Sequence, residues 1–219
     1  MASREQAAGI RIPNSRWAGP ESGSPIPAAA SHMRVFVAIE LPDDVRAVIG
    51  REQARLRALC VRNRDIRWTP PEALHLTLKF LGEIAADRAP AVSAALHSLG
   101  PSTDFEVEVQ GFGFFPDARR PHVFWAGFEA PPALADLARR VDSALARLGF
   151  PAETRPFTPH LTLARFRTPR ADRALVEEIG KPGSTTLGRF GVHEYFLFES
   201  HLLPGGAEHQ KVARFSLSP

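Results

Sequence analysis

The feature that most constrains this chain is a tetrapeptide that occurs twice. His75-Leu76-Thr77-Leu78 and His160-Leu161-Thr162-Leu163 are identical, with their histidines 85 residues apart. Each follows a proline-containing turn, Thr69-Pro70-Pro71-Glu72 in one case and Arg155-Pro156-Phe157-Thr158-Pro159 in the other, and each reads as the opening of a strand. A helix precedes the turn in both halves. Two copies are too few for a solenoid, so the repeat predicts one internally duplicated fold.

Strand geometry gives the repeat its chemistry. Successive side chains of a strand point to opposite faces, so each His shares a face with its Thr while both leucines point the other way, into a core under helices. At a rise of ~3.3 Å per residue, imidazole and hydroxyl stand roughly 6–7 Å apart, a span suited to one phosphate-sized group. Two such strands, related by duplication, bring two imidazoles and two hydroxyls to a cleft between two sheets. An imidazole titrates near pH ~6.5, so one ring can accept a proton while the other donates one. The hydroxyls can donate to phosphate oxygens on which charge grows in the transition state.

Zinc fits the pattern poorly. Structural zinc takes four ligands and catalytic zinc usually three. Neither H-x-H nor H-x-x-x-H occurs, and no cysteine or carboxylate stands at ligand spacing from either motif. No metal and no cofactor are expected.

The rest of the chain predicts an α+β architecture. Leu41-Pro42-Asp43-Asp44 starts a helix carrying Val45, Ile49, Leu56 and Leu59 at helical spacing. Strands are expected at 66–68, 75–81, 105–111, 123–128, 160–166 and near 187–192, 194–200 and 210–217. Helices are expected at 87–99, 131–148 and 171–179, with Val92, Leu96 and Leu99 packing the first of these. Phe112 to Arg120 reads as a loop. The expected fold is bilobal and duplicated, with two antiparallel sheets facing a central cleft and helices outside.

Composition narrows the class. With 44% hydrophobic and 23% charged residues among 219, the chain is globular. No run approaches the ~20 apolar residues of a membrane span. Cys60 is the only cysteine, which excludes an intramolecular disulfide and fits a cytoplasmic setting. Of 27 cationic residues only Lys79, Lys181 and Lys211 are lysines, and the arginine forks suit phosphate. A net charge of +3 restricts any nucleic-acid contact to a local patch. Residues 1–32 are rich in Gly, Pro, Ser and Ala and are expected to be a disordered extension, leader or tag, ahead of a single bilobal domain over 33–219.

The fuller strings Arg67-Trp68-Thr69-Pro70-Pro71-Glu72-Ala73-Leu74 before His75-Leu76-Thr77-Leu78-Lys79-Phe80-Leu81-Gly82-Glu83, and Phe157-Thr158-Pro159 before His160-Leu161-Thr162-Leu163-Ala164-Arg165, carry a resemblance. Together with Arg34-Val35-Phe36-Val37-Ala38-Ile39, they resemble the 2H phosphoesterase superfamily, in its RNA 2′,3′-cyclic phosphodiesterase branch, also called bacterial and archaeal 2′-5′ RNA ligases. The resemblance implies hydrolysis of a 2′,3′-cyclic phosphate at an RNA end to a 2′-phosphomonoester, with ligation as a side activity. It implies that His160 takes a proton from water, that His75 protonates the departing 3′-oxygen, and that Thr77, Thr162 and Arg165 hold the phosphate. The implied partner is such an RNA end or a related nucleotide, handled by a monomer away from any membrane.

Strict alternation puts Arg165 on the leucine face, so its role requires a bulge or a strand end. Phe80 and the loop residues Phe114 and Phe115 are the leading base-stacking candidates, ahead of Trp68 and Trp125. Arg119 and Arg120 are candidates for the RNA backbone. His97, His122, His193, His201 and His209 carry no motif. Two other functions use the same residues: a phosphodiesterase for small cyclic nucleotides or cyclic-phosphate metabolites, and a non-catalytic module that binds RNA ends.

Overall fold

The computed structural model describes residues 31–100, 102–181, 186–203 and 206–218. The expectation for the N-terminal extension therefore lies, up to residue 30, outside the described residues, and the first strand begins at His32.

Nine strands and four helices follow in the described chain: β1 (His32–Glu40), α1 (Asp43–Leu59), β2 (Ile66–Trp68), β3 (His75–Ala85), α2 (Ala89–His97), β4 (Phe105–Phe115), β5 (Val123–Glu129), α3 (Pro132–Ala146), β6 (His160–Phe166), α4 (Arg173–Ile179), β7 (Thr186–Val192), β8 (Glu194–Leu203) and β9 (Gly206–Ser216). One sheet runs β3-β1-β8-β9, the other β2-β6-β5-β4-β7. Their ladders are antiparallel throughout. The duplication is visible in these orders: β3 and β6 carry the motifs, β1 and β5 lie beside them, and β8 and β4 come next. The fold is α+β, as expected.

The lobes exchange their helices. Helix α1 leaves β1 of the first sheet but packs beneath the second, where Val45 lies 3.2 Å from the position a Cβ on Gly188 of β7 would take. A Cβ there would press on the Val45 methyls, and Gly188 also has φ +148, a conformation that favours glycine. Helix α3 follows β5 of the second sheet and reaches the first, where its Asp142 pairs with Lys79 of β3. One large core shared by both sheets results, with Ile49, Leu56, Leu76, Leu137, Leu145, Leu161 and Leu163 at most 1% exposed, and Phe36, Ala38, Phe196 and Phe198 form a second, smaller buried cluster. Each such side chain contributes roughly 1.5–3 kcal/mol on leaving water. Removing either helix would uncover the lobe it does not belong to in sequence.

Local sequence explains the helix ends. Pro42 stands at the N-cap position of α1 without a side-chain capping bond, and Asp43 and Asp44 sit in the first turn against the positive end of the helix dipole. Helix α3 starts at Pro132, and Gly149, with φ +85, turns the chain shortly after it. Leu59 is 42% exposed and leaves the α1 stripe; the buried positions are Val45, Ile49, Gln53 and Leu56.

The predicted loop at Phe112–Arg120 is half strand. Strand β4 continues to Phe115, because Gly111 (φ +68) is squeezed out of the ladder between Gln110 and Phe112. Such a glycine bulge shifts the alternation by one. It therefore sends Phe114 inward.

Candidate active site

The two motif strands match residue for residue in burial. Each runs half-buried, buried, half-buried, buried, buried, exposed from its histidine: His75 to Phe80 and His160 to Arg165. The break in alternation has one cause in both. In β3, Thr77 pairs with Ala38 and Lys79 with Val37, so Leu78 is left over. In β6, Thr162 pairs with Trp125 and Ala164 with Phe124, so Leu163 is left over. Each bulge puts two consecutive residues on the core face and returns the next to the histidine face. Arg165 thus shares a face with His160 and Thr162, and Phe80 holds the corresponding place beside His75 and Thr77. The bulge at Leu163 is the break in alternation that a histidine-facing Arg165 requires.

Both imidazoles are oriented alike. The ring Nδ1 of His75 lies 2.8 Å from the Ala73 carbonyl, and that of His160 lies 2.8 Å from the Thr158 carbonyl. A carbonyl only accepts, so Nδ1 carries the hydrogen and Nε2 keeps the lone pair of the neutral ring. The prolines prepare these acceptors. Pro159 holds Thr158 extended, and Pro70 and Pro71 lead the short 3₁₀ turn Pro71–Ala73 that presents Ala73.

Ring packing completes the aim. His75 lies 4.5 Å from the Phe36 ring and meets His209 edge-on at 4.9 Å. His160 meets Phe115 edge-on, also at 4.9 Å. Burial pushes His75 down to about 4, with the neighbouring His209 acting in the same direction. Burial also lowers His160 and His209. Arg165 is close enough for its charge to bear on both motif histidines. In the free protein both rings are therefore mainly neutral near pH 7, with the lone pair on Nε2. An anion between them, beside Arg165, would favour the protonated form again.

A cavity of about 50 Å³ beside His75, bounded by Phe36, Glu40, Arg46, Glu72 and His209, is too small for a nucleotide.

This architecture matches a known family along most of its length. The model described as LigT like Phosphoesterase matches residues 39–125 and again 128–207. The chain belongs to the LigT-like phosphoesterase family. It is 32% identical over 186 residues to a protein of Methanothermobacter thermautotrophicus named RNA 2′,3′-cyclic phosphodiesterase, covering 84% of this chain and 99% of that one. A Thermus thermophilus protein of the same name is 33% identical over 191 residues, covering 84% and 90%. Among solved structures, one from Thermus thermophilus superposes with a TM-score of 0.69 at 32% identity, covering 84% of this chain and 98% of that one. Escherichia coli LigT complexed with 3′-AMP superposes with a TM-score of 0.70 at 29% identity, covering 86% and 100%.

Within this LigT-like phosphoesterase the stacking candidates separate. Phe80 is 66% exposed on the cleft face, and its ring lies 6.1 Å from Phe36. Phe115 is half-buried against His160 and Trp125. Phe114 is 8% exposed and packs on Phe124 and Phe166, so it has no free face for a base. That candidate is withdrawn, because the Gly111 bulge turns it into the core. Trp68 packs edge-on against Phe124 and belongs to the same core. Trp125, opposite Thr162, lies across Gly113 and walls the second lobe. Arg119 and Arg120 are exposed, and their backbone N–H groups donate to the Asp117 carboxylate in the β4–β5 turn.

Sequence reasoning passed over His209. It sits on β9 opposite Ser200, and its ring touches Phe36, His75 and Phe198. No motif surrounds it, and the topology that brings β9 into the first sheet is the only signal that finds it. Cys60 is buried and its thiol is pushed up to about 12, which removes it as a nucleophile.

Proposed function

We propose that this phosphoesterase hydrolyses 2′,3′-cyclic phosphodiester ends of RNA to 2′-phosphomonoesters, by general acid–base catalysis between His75 and His160. The observation that carries this reading is the pair of identically tethered imidazoles, each with Nδ1 on a backbone carbonyl two residues before it. Relatives that align over nearly their whole length carry that activity in their names.

His160, as base, takes a proton from water as the water oxygen bonds to phosphorus. His75, as acid, gives its proton to the 3′-oxygen as the P–O3′ bond breaks. The product carries a 2′-phosphate and a free 3′-hydroxyl, and the two histidines have exchanged protonation states. Thr77 and Thr162 donate to the non-bridging oxygens, and Arg165 balances their growing charge. Phe80 stacks the terminal base, with Phe115 framing the site beside His160. Ligation through a 2′-5′ linkage would run the same bond changes in the same direction, with an RNA 5′-hydroxyl taking the place of water: the P–O5′ bond forms as the P–O3′ bond breaks and His75 protonates the 3′-oxygen.

The test is end-group analysis of an oligonucleotide bearing a 2′,3′-cyclic phosphate, alongside mononucleoside 2′,3′-cyclic phosphates as competitors. A 2′-phosphate product, with the oligonucleotide outcompeting the mononucleotides, supports the reading. A 3′-phosphate product, or binding without turnover, overturns it.

A further inference from the structure

Among the described residues two polar side chains are buried, Gln53 and Lys79, and both stand at the bulges of the motif strands. Lys79 follows the bulge in β3 and is held by Asp142 and the Pro151 carbonyl. Gln53 stands beneath the bulge in β6. Its Nε2 donates to the carbonyl of Leu163, the residue left over there, at 2.8 Å, and to the carbonyl of Thr69 at 2.7 Å. The Leu163 carbonyl also accepts the Thr69 N–H at 2.9 Å. Both hydrogens of the Gln53 amide are therefore in use, and they tie the bulge to the chain that leaves β2.

We propose that Gln53 is a positioning residue for the reaction, fixing from helix α1 the bulge that turns Arg165 toward the phosphate. This rests on the role given to Arg165 above. A residue squeezed out of a ladder needs partners for its backbone groups: the Leu163 carbonyl takes two donors, the Thr69 N–H and the Gln53 amide, and without Gln53 it keeps only the first while the Thr69 carbonyl loses the donor that ties it to the bulge. An unbulged β6 would put Arg165 beside Leu161 and Leu163 in the core, where a guanidinium is strongly disfavoured. The amide thus selects the one register in which a cation faces the cleft. Its bond to Leu163 bears on Arg165, and its bond to Thr69 anchors the start of the turn that presents Ala73 to His75; the bulge of the first lobe has its own buried lysine.

The test is a set of double-mutant cycles in kcat/KM on a mononucleoside 2′,3′-cyclic phosphate. Gln53→Met keeps the volume and removes both donors, and Gln53→Glu, which keeps the shape but loses the amide hydrogens, is the second variant. Gln53→Met is expected to cost about tenfold alone, less than about twofold when added to Arg165→Ala, and the full tenfold when added to Thr77→Val. A residue that serves the fold alone would cost the same in both backgrounds. Equal losses in the two backgrounds, a wild-type rate for Gln53→Met, or failure of both Gln53 variants to fold would each overturn the inference. An Arg165→Ala enzyme at the wild-type rate would overturn the role of Arg165 itself. A slow Arg165→Ala enzyme beside a fully active Gln53→Met enzyme would overturn only the positioning.

Discussion

Phe80 and Arg165 occupy the same place in the two lobes. Each is the fifth residue after its motif histidine, each lies beyond a bulged leucine, and each is exposed on the histidine face. The duplicated framework thus offers an apolar ring on one side of the cleft and a guanidinium on the other. A nucleotide has the same polarity, with a base at one end and a phosphate at the other.

Substitutions at these two positions should therefore fail in different ways. Phe80→Ala should raise KM by about tenfold for a substrate with a terminal base, with kcat little changed, as expected for a lost stacking contact. Arg165→Ala should lower kcat and weaken inhibition by inorganic phosphate, with a shallower dependence on salt. Steady-state kinetics at two ionic strengths separates the two.

The threonines should act through their hydroxyls alone. Both are half-buried on strands whose neighbouring leucines carry the packing. Thr77→Val and Thr162→Val should keep cooperative unfolding and lose about 10²-fold in kcat, the scale of one lost donor to a transition-state oxyanion. Thermal unfolding beside the kinetics checks this.

The faces of the motif strands could be read from the sequence, because alternation fixes His and Thr against Leu. Their continuation could not. Nothing in the side chains of Leu78 or Leu163 announces a bulge, so Arg165 and Phe80 were placed by the backbone. Gly111 did carry a signal, but Gly-Phe-Gly-Phe-Phe reads as a loop when the extra residue of a bulged strand is not allowed for. Gln53 stands in the stripe Val45, Ile49, Gln53, Leu56, a polar residue where an apolar one is expected, and that position marks it. The exchange of α1 and α3 between lobes was out of reach, since an apolar stripe says that a helix is covered and not by which sheet.

Phe114 and Phe115 adjoin in sequence and should part in experiment. Phe114→Ala opens a hole against Phe124 and Phe166 and should cost about 3–5 kcal/mol of stability. Phe115→Ala should cost less stability and lower kcat instead, because its ring braces His160. Denaturant titration and turnover of both variants make the comparison.

Stability should fall as the solution is acidified. His75 is held near 4 in the folded chain and titrates near 6.5 when unfolded. The unfolded state thus binds the extra proton first, and stability is lost as pH drops from about 6.5 toward 4. His160 and His209, also lowered, act in the same sense. The share of His75 is about 3 kcal/mol. Denaturant unfolding at pH 7 and pH 4.5 should show the slope, and His75→Leu should flatten it.

The central claim is that two imidazoles move the protons of one reaction without help from a metal. Its most direct measurement is the rate of 2′-phosphate formation from a cyclic-phosphate-ended RNA in excess EDTA, for the wild type, His75→Ala and His160→Ala. The account predicts an undiminished wild-type rate and a loss of about 10²–10⁴-fold for each variant, both still folded. A wild-type rate abolished by the chelator, or either alanine variant turning over at the wild-type rate, would contradict it.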